Sequence, residues 1–516
     1  MTFLPFAAAA MLVLAAAIAF CRPARISVLL LKLIEALALL SVSAALGAIG
    51  ALLVSGATPT LLLGFRGVGP SVRLDVVSAT MLLLVTFIGW IVVRFSRTYL
   101  DGEVRQGAFM GWLCTTLAMV VLLVTAGNLV QLVLAWVATS LSLHRLLLFY
   151  PDRSAAQRAA KKKFVTARAS DAALVVAATL LATSYGTTDI AAILAAARIG
   201  NGGSMAVTAA GLLAVAALLK SAQFPLHGWL TEVMEAPTPV SALLHAGVIN
   251  AGGFVLIRFA DVLLLAPGVL AGLVMIGGFT ALFGGLVMLT QSAVKTSLAW
   301  STVAQMGFMI MQCGLALFPI ALLHIVAHSL YKAHSFLASG GAVERIAAAR
   351  RPGPVAVPNM KAVGRAFLVA LAMYGAVGWA FDFQHKSPQA IALGAILIFG
   401  VAYLLAQGLA DAAPRALTQR MATYAVAASV GYFSLHALAF WLTKGTLPQV
   451  PTTGPLEWAL IILAVTSFGV VAVAQAMFPL WAYHPAAAGL RVHLANGLYA
   501  NALLDRMLDG WRLRQP

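Results

Sequence analysis

The sequence predicts an all-α polytopic membrane protein with about 15 transmembrane helices. Of its 516 residues, 62% are hydrophobic and 9% are charged, whereas a soluble domain carries about 25% charged residues. Apolar runs recur along the whole chain, and about 20 apolar residues form a helix long enough to cross a bilayer. The composition therefore excludes a soluble enzyme, a disordered chain and a disulfide-bonded secreted protein.

The apolar runs divide the chain into a series of spans joined by short connections. In order, the predicted spans are residues 3–20, 28–56, 76–97, 106–126, 127–149, 170–184, 204–223, 238–260, 268–290, 296–314, 317–340, 365–381, 388–410, 421–443 and 456–481. We expect N-terminal helices over residues 1–105, a first repeat over 106–260, a second, degenerate repeat over 268–443, a last transmembrane helix over 456–482 and a cytoplasmic tail over 483–516.

Basic residues are distributed unevenly between alternate loops. The chain has a net charge of +17 and 33 Lys and Arg residues, most of which fall on one side of the predicted spans. By the positive-inside rule, this side is cytoplasmic, so we expect the N-terminus outside and the C-terminus inside. The basic run Lys161 to Lys163 is then interpreted as a solvated cytoplasmic loop rather than a nucleic-acid site.

Lys220 lies inside the membrane region and begins the segment Lys220-Ser-Ala-Gln-Phe-Pro-Leu-His-Gly-Trp-Leu230. An ionisable residue within a span costs about 2.5 to 3.5 kcal/mol on insertion scales and is a functional candidate for that reason. Pro225 removes a backbone donor, which predicts a broken helix near residues 220–230. A lysine beside a broken helix is typical of ion-handling sites. The alternative is a lysine that extends to the membrane interface.

Histidines mark two further spans. His324, His328 and Lys332 recur at intervals of four and share one helical face, a stripe about 12 Å long that is suited to proton transfer. His245 lies in the helix that follows two prolines, where a hydrogen-bonded packing role is an equal alternative. A zinc site at His324 and His328 is disfavoured because no third ligand or catalytic glutamate is near them in the sequence.

Three other residues complete the predicted ion pathway. Asp171 and Glu232 are candidate charge partners of Lys220. Glu232 lies in the connection that follows the broken helix, where a solvated position is the alternative. Lys295, at the start of the tenth span, fits either the pathway or the end of a helix. We expect no catalytic residue, metal or cofactor in this chain.

Three segments resemble the proton-conducting subunits of complex I and of Mrp-type cation/proton antiporters. They are Lys220 to Leu230 with its continuation Met234-Glu-Ala-Pro-Thr-Pro-Val-Ser-Ala-Leu-Leu-His245, Val294-Lys-Thr-Ser-Leu-Ala-Trp-Ser-Thr-Val-Ala-Gln-Met-Gly307, and His324-Ile-Val-Ala-His-Ser-Leu-Tyr-Lys332. The resemblance covers residues 73–342 and implies an antiporter-like fold with inverted repeats. It also implies that Lys220 is the central proton-accepting lysine, that His245, His328 and Lys332 continue a polar axis, and that Lys295 and His324 support it.

Within that family, the likeness is greatest to the membrane subunit of a two-subunit inorganic carbon pump. This likeness is carried by Ser140-Leu-Ser-Leu-His-Arg-Leu-Leu-Leu-Phe-Tyr-Pro151 and by the tail Val492-His-Leu-Ala-Asn-Gly-Leu-Tyr499. It implies a cytoplasmic zinc-containing partner, similar to β-carbonic anhydrases, whose hydration of CO2 to bicarbonate is driven by a cation gradient through the membrane subunit.

The sequence departs from the redox-linked members of the family at two places. Trp136 is followed by Val137, where those relatives carry a glutamate that faces the lysine, so Asp171 is the expected partner of Lys220. The span 365–381 has no central lysine, and Asp382 and Lys386 come only at its end, which puts a complete second half-channel in doubt. The alternatives are a redox-linked pump subunit of complex I or a membrane hydrogenase, an Mrp-type antiporter subunit, a passive membrane scaffold, and an integral metalloenzyme.

Overall fold

The computed structural model describes residues 3–56, 58–62, 69–341, 359–382, 386–409, 413–477, 481 and 484–509. Within these ranges the chain is helical apart from connections and one hairpin, which confirms the predicted fold class. Most of the predicted polar connection at residues 341–364 and the last residues of the predicted tail lie outside the described residues.

The first half of the chain forms helices whose order follows the predicted spans. They are α1 (Leu4–Phe20), α2 (Val28–Ser55), α3 (Val76–Tyr99), α4 (Gln106–Val124), α5 (Leu129–Leu147), α6 (Ser154–Tyr185), α7 (Ile190–Arg198), α8 (Gly203–Lys220), α9 (Gly228–Thr231), α10 (Thr238–Ala246), α11 (Ala251–Arg258) and α12 (Ala260–Leu263). Between α2 and α3, strand β1 (Thr58–Leu62) pairs antiparallel with β2 (Ser71–Leu74). The sequence had given no signal for this hairpin.

The second half continues the same up-and-down pattern. Its helices are α13 (Pro267–Met288), α14 (Val294–Gly314), α15 (Phe318–Leu337), α16 (Met360–Ala380), α17 (Pro388–Gly408), α18 (Arg415–Thr443), α19 (Pro455–Ala476), α20 (Pro485–Ala495) and α21 (Ala500–Asp509). Short 3-10 turns cover Val233–Glu235, Val248–Asn250, Ser339–Gly341 and Gly497–Tyr499.

Eleven of the described helices or helix pairs are long and apolar enough to cross a membrane. Two shorter apolar helices, Leu4–Phe20 and Pro388–Tyr403, add to them. The helices α14 and α15 are of spanning length but fall outside that apolar set. The prediction of a multi-pass membrane protein is confirmed.

Helix starts follow the local chemistry of the sequence. Asp75 precedes α3 and accepts a hydrogen bond from the Ser78 amide at 2.9 Å, while the Ser78 hydroxyl accepts from the Asp75 amide. Such reciprocal caps satisfy amides that have no partner within the helix. Helices α13, α15, α17, α19 and α20 instead carry a proline in the first turn, where its missing N–H costs nothing.

Small residues allow α13 and α14 to pack backbone against backbone. A Cβ added to Gly277 would lie 2.6 Å from the Gly307 carbonyl oxygen, and one added to Gly314 would lie 2.6 Å from the Val274 amide nitrogen. Close approach through small residues is the usual basis of helix association in lipid. Helices α13 and α14 therefore pack closely beside the polar groups described below.

The helix ends separate two faces of the domain. We call the face that carries the connections 21–27, 100–105 and 148–153 the basic face, and the other the opposite face. At the opposite face, Trp379 and Trp441 are 77% and 71% exposed near the ends of α16 and α18. Exposed tryptophans at this level are typical of a membrane–water boundary.

Candidate functional site

The helix that carries Lys220 ends at that residue, as the sequence predicted. After α8 the backbone is irregular, with Ala222 at φ +52° and a cis Phe224-Pro225 bond. The single turn α9 and the 3-10 turn Val233–Glu235 follow before α10 begins at Thr238. Lys220 is thus at the basic-face end of a broken span. The residue is 7% exposed.

The ammonium group of Lys220 faces an aromatic ring instead of a carboxylate. Its Nζ lies 4.4 Å from the centroid of the Trp136 ring and has no hydrogen-bond partner within the described part of the chain. A cation over an indole face is stabilised by about 2 kcal/mol when desolvated. The charges of Asp171 and Arg168 also act on Lys220.

Asp171 is the predicted charge partner, but its direct ion pair is with Arg168. Their Oδ2 and Nη2 atoms are 2.5 Å apart, one turn apart on α6. The charges of Lys220 and Lys163 act on the Asp171 carboxylate as well. Asp171 therefore belongs to the electrostatic surroundings of Lys220 without bonding to it.

Lys163 is a buried cation that the sequence analysis missed. It is 5% exposed, and its Nζ donates to the Ser140 carbonyl at 2.5 Å and to the Ser140 hydroxyl at 3.2 Å. Lys163 and Lys220 line the same small cavity of about 10 Å³ together with Trp229 and Val248, which is enough for about one water molecule.

The prediction that Lys161 to Lys163 form a solvated loop is wrong for two of the three. Helix α6 begins at Ser154 instead of residue 170, so these lysines are helical, and Lys162 and Lys163 face the interior. Lys162 is 1% exposed and lies 2.5 Å from Glu232 and 2.6 Å from Asp505. Glu232 is therefore paired with Lys162, and not with Lys220 as the sequence had suggested.

The histidines of α10 and α15 meet at a second break in a helix. The α-helix that carries His245 stops at Ala246, and a 3-10 turn at Val248–Asn250 separates it from α11. The His245 carbonyl oxygen is 3.2 Å from Nε2 of His328, and the His245 Nδ1 is 3.0 Å from the Thr302 hydroxyl. Both histidines are buried. The sequence had not predicted this second interruption.

The three residues of the α15 stripe contact neighbouring helices at successive levels. Lys332 is fully buried and donates to the Leu298 carbonyl at 3.0 Å and to the Ser301 hydroxyl at 2.9 Å. His324, nearest the opposite face, has its Nδ1 3.0 Å from the Gln312 amide oxygen. The ring centroids of His324 and His328 are 6.0 Å apart. The stripe therefore leads from the basic-face half of α15 towards the opposite face.

Lys295 lies at the edge of this arrangement. It is the second residue of α14, half-buried at the basic face, and its Nζ donates to the Thr238 hydroxyl at 3.2 Å. This position fits the end-of-helix alternative, although the contact links α14 to the start of the His245 helix.

The two clusters are adjacent but no hydrogen bond recorded among the described residues joins them. Between them, the Ser221 hydroxyl donates to the Ile249 carbonyl at 3.2 Å, and Val248 lines the cavity beside Lys220. The 3-10 turn of the broken α10–α11 helix thus lies between Lys220 and His245. A proton that passes between the clusters requires water or motion at this turn.

The C-terminal segment covers the broken helix on the basic face. The Asn501 amide donates to the Thr231 hydroxyl at 3.4 Å, and Asp505 reaches Lys162. A Cβ added to Gly228 would lie 1.6 Å from the Asn501 side-chain oxygen, so this glycine is required for close contact. Within the described part of the predicted tail, Asn501 and Asp505 therefore dock on this face.

Comparison with known proteins identifies the family. The family model described as "NADH:quinone oxidoreductase/Mrp antiporter, TM" matches residues 126–352. The model described as "NADH-Ubiquinone oxidoreductase (complex I), chain 5 N-terminus" matches residues 67–110. The "Probable inorganic carbon transporter subunit DabB2" of Halothiobacillus neapolitanus is 38% identical over 85% of this chain and 80% of its own length. The chain belongs to the family of membrane subunits that includes this relative and those of complex I and Mrp antiporters.

Further relatives agree with this assignment. The "Probable inorganic carbon transporter subunit DabB" of Hydrogenovibrio crunogenus is 44% identical over 61% of each chain. A chain of the Mrp complex from Dietzia sp. DQ12-45-1b is 23% identical and has a TM-score of 0.61 over 98% of this chain and 60% of its own length, which shows a shared fold. The predicted resemblance and the prediction of a transport subunit are confirmed.

Proposed function

We propose that this chain conducts a cation, H+ or Na+, in an energy-coupled uptake complex for inorganic carbon. In this proposal, ion flux through the chain drives CO2 hydration by a DabA-like soluble zinc protein bound at the cytoplasmic face. Zinc belongs to that partner, and this chain carries neither a metal nor the hydration chemistry. The names of the relatives support the substrate class.

One observation carries the ion-conducting part of the proposal. Two clusters of buried basic groups, at Lys220 and at His245–His328–Lys332, lie on interrupted helices within the membrane region. Burying such groups is costly, and a passive anchor gains nothing from them. Because imidazole and amine groups accept and release protons, the two clusters are suited to stepwise proton transfer.

We assign the basic groups of the two clusters to the two proposed repeats. Lys220 and His245 lie in the repeat at residues 106–260, and His328 and Lys332 lie in the degenerate repeat at residues 268–443, so the second cluster joins the two repeats. The distribution of basic loops supports an orientation in a bacterial inner membrane with the N-terminus outside and the C-terminus in the cytoplasm. The basic face is then the cytoplasmic face.

A second candidate function is a subunit of an Mrp-type antiporter or of a redox-linked complex I relative. The description of the matching family and the fold shared with the Mrp complex favour it. Against the redox-linked alternative, Lys220 faces the ring of Trp136 and the following residue is Val137, where those relatives carry the glutamate.

Affinity purification of the full chain from its native membrane tests the proposed coupling. We expect a large soluble protein to copurify, with zinc in the recovered complex and none in the membrane chain after the two are separated. Recovery of iron–sulfur or flavin subunits in its place would favour the redox-linked function. Stoichiometric zinc in the isolated membrane chain would support an integral metalloenzyme.

A further inference from the structure

The degenerate half of the domain contains a second amine–imidazole site that lies apart from both clusters. Lys386 precedes α17, and His436 lies on α18, fifty positions later in the sequence. The Lys386 Nζ is 3.4 Å from the His436 Nδ1. His436 is 5% exposed, and its Nε2 is buried with no hydrogen-bond partner recorded among the described residues.

Aromatic rings surround the Lys386–His436 pair, and the Asp382 carboxylate lies near it. The His436 ring stacks on Phe440 with centroids 4.7 Å apart, and the Lys386 Nζ lies 5.7 Å from the Phe433 ring centroid. Partial burial lowers the pKa of the Lys386 amine, and the Asp382 carboxylate opposes this change. The Tyr432 hydroxyl, one turn before His436, is buried and has no partner of its own within the described chain.

The depth of the site matches the end of the α15 stripe. His324 is six residues from the opposite-face end of α15, and His436 is seven residues from the opposite-face end of α18. At 1.5 Å per residue, both imidazoles lie about 10 Å below that face. Helices α15 and α18 pack against each other, and the Nε2 of His324 is also buried without a recorded partner.

We infer that Lys386 and His436 form the outlet of the pathway on the opposite face, next in order after His324. This inference rests on the proposed conduction and specifies that the ion is a proton. The Lys386 ammonium gives a proton to water at the opposite face. Neutral His436 then accepts a proton at Nε2 from the interior and releases its Nδ1 proton to the Lys386 amine, which becomes an ammonium again, so one proton enters and one leaves.

The site also concerns the second half-channel, which the sequence left in doubt. The second half carries no lysine in the centre of α16, but Lys386 reaches His436 from the connection at its end. A lysine in a connection and a histidine in a distant helix give no common periodicity. Only the fold brings them together.

Proton flux through the intact complex in inverted membrane vesicles tests this outlet. Lys386→Gln and His436→Gln should each lower the flux at least tenfold with assembly unchanged. Lys386→Arg should lower it as much, because a guanidinium keeps the positive charge but does not release a proton. Lys444→Gln, which removes an exposed lysine at the same face, should leave the flux unchanged.

The outcomes separate this inference from the function on which it rests. If Lys220→Gln abolishes the flux while Lys386→Gln and His436→Gln keep it, conduction stands and this outlet is wrong. If Lys220→Gln also keeps the wild-type flux, the proposed conduction itself fails. Full activity of Lys386→Arg together with loss in Lys386→Gln would assign the lysine a structural charge and would contradict proton release.

Discussion

The buried lysines of this domain are stabilised in unequal ways. Lys332 donates to a carbonyl and a hydroxyl, and Lys163 donates to both acceptors of Ser140. Lys220 contacts the face of the Trp136 ring and interacts electrostatically with Asp171 without a direct hydrogen bond. Because Lys220 has the fewest hydrogen bonds to lose on deprotonation, it is the lysine best suited to exchange a proton.

A buried ion cluster at the opposite face has a contrasting, structural role. The Asp75 carboxylate is 2.6 Å from Arg258 and 2.8 Å from Arg73, and the Arg258 side chain is 2% exposed. We expect Asp75→Asn to destabilise the fold by about 3 to 5 kcal/mol, because it leaves a buried guanidinium without its counter-charge. The thermal unfolding midpoint of the purified protein measures this effect.

An exposed ion pair provides the matched control for Asp75. Arg153 and Glu235 are 3.0 Å apart with side chains 53% and 44% exposed, so Glu235→Gln should cost less than about 1 kcal/mol. Equal shifts of the unfolding midpoint for the two variants would show that the buried Asp75 cluster stabilises the fold no more than an exposed ion pair does.

Individual site residues were predictable where a charge interrupts an apolar run. Lys220, His328 and Lys332 stand out for this reason, and all three are buried. Lys163 was missed because neighbouring basic residues made its segment resemble a solvated loop. Asp171 and Glu232 pair with Arg168 and Lys162, and these pairs depend on side-chain geometry that sequence spacing does not define.

At the scale of elements, the interrupted helices define the site. The break after Lys220 was predictable from Pro225, because proline removes a backbone donor. The break after Ala246 was not predicted, although Gly247 and Asn250 interrupt the apolar segment there. The helices themselves were predictable from their apolar lengths, whereas the early start of α6 at Ser154 was hidden by its polar first turns.

The C-terminal segment is an element whose docking is testable. Thr231 and Asn501 side chains are 3.4 Å apart, so a Thr231→Cys/Asn501→Cys pair should form a disulfide under mild oxidation. Asp505→Lys should reduce its yield at least fivefold, because it places a second cation against buried Lys162. Gel mobility of the oxidised and reduced protein measures the yield.

A neighbouring charge reversal controls for non-specific effects. Arg506 is exposed on the same helix, and Arg506→Glu should leave the crosslinking yield unchanged. An unchanged yield in Asp505→Lys would mean that the Lys162–Asp505 pair does not hold the segment in place.

At the scale of the whole molecule, the buried basic groups form a discontinuous series across the domain. Lys163, Lys220 and Lys332 lie in the half of the domain nearer the basic face, and His245 and His328 lie centrally. His324 and His436 lie towards the opposite face. The C-terminal segment covers the basic-face end at Lys162. In the proposed orientation, this placement puts the start of the proposed pathway at the face to which we assign the partner.

The most direct test of the account is uncoupler-sensitive accumulation of inorganic carbon in cells that carry the complete complex. Lys220→Ala should abolish this accumulation while the chain still assembles in the membrane. Lys32→Ala is the matched control, because Lys32 also lies in a spanning helix but is exposed, and it should accumulate carbon like the wild type. Wild-type accumulation by Lys220→Ala would contradict ion conduction through this site and would favour a passive scaffold.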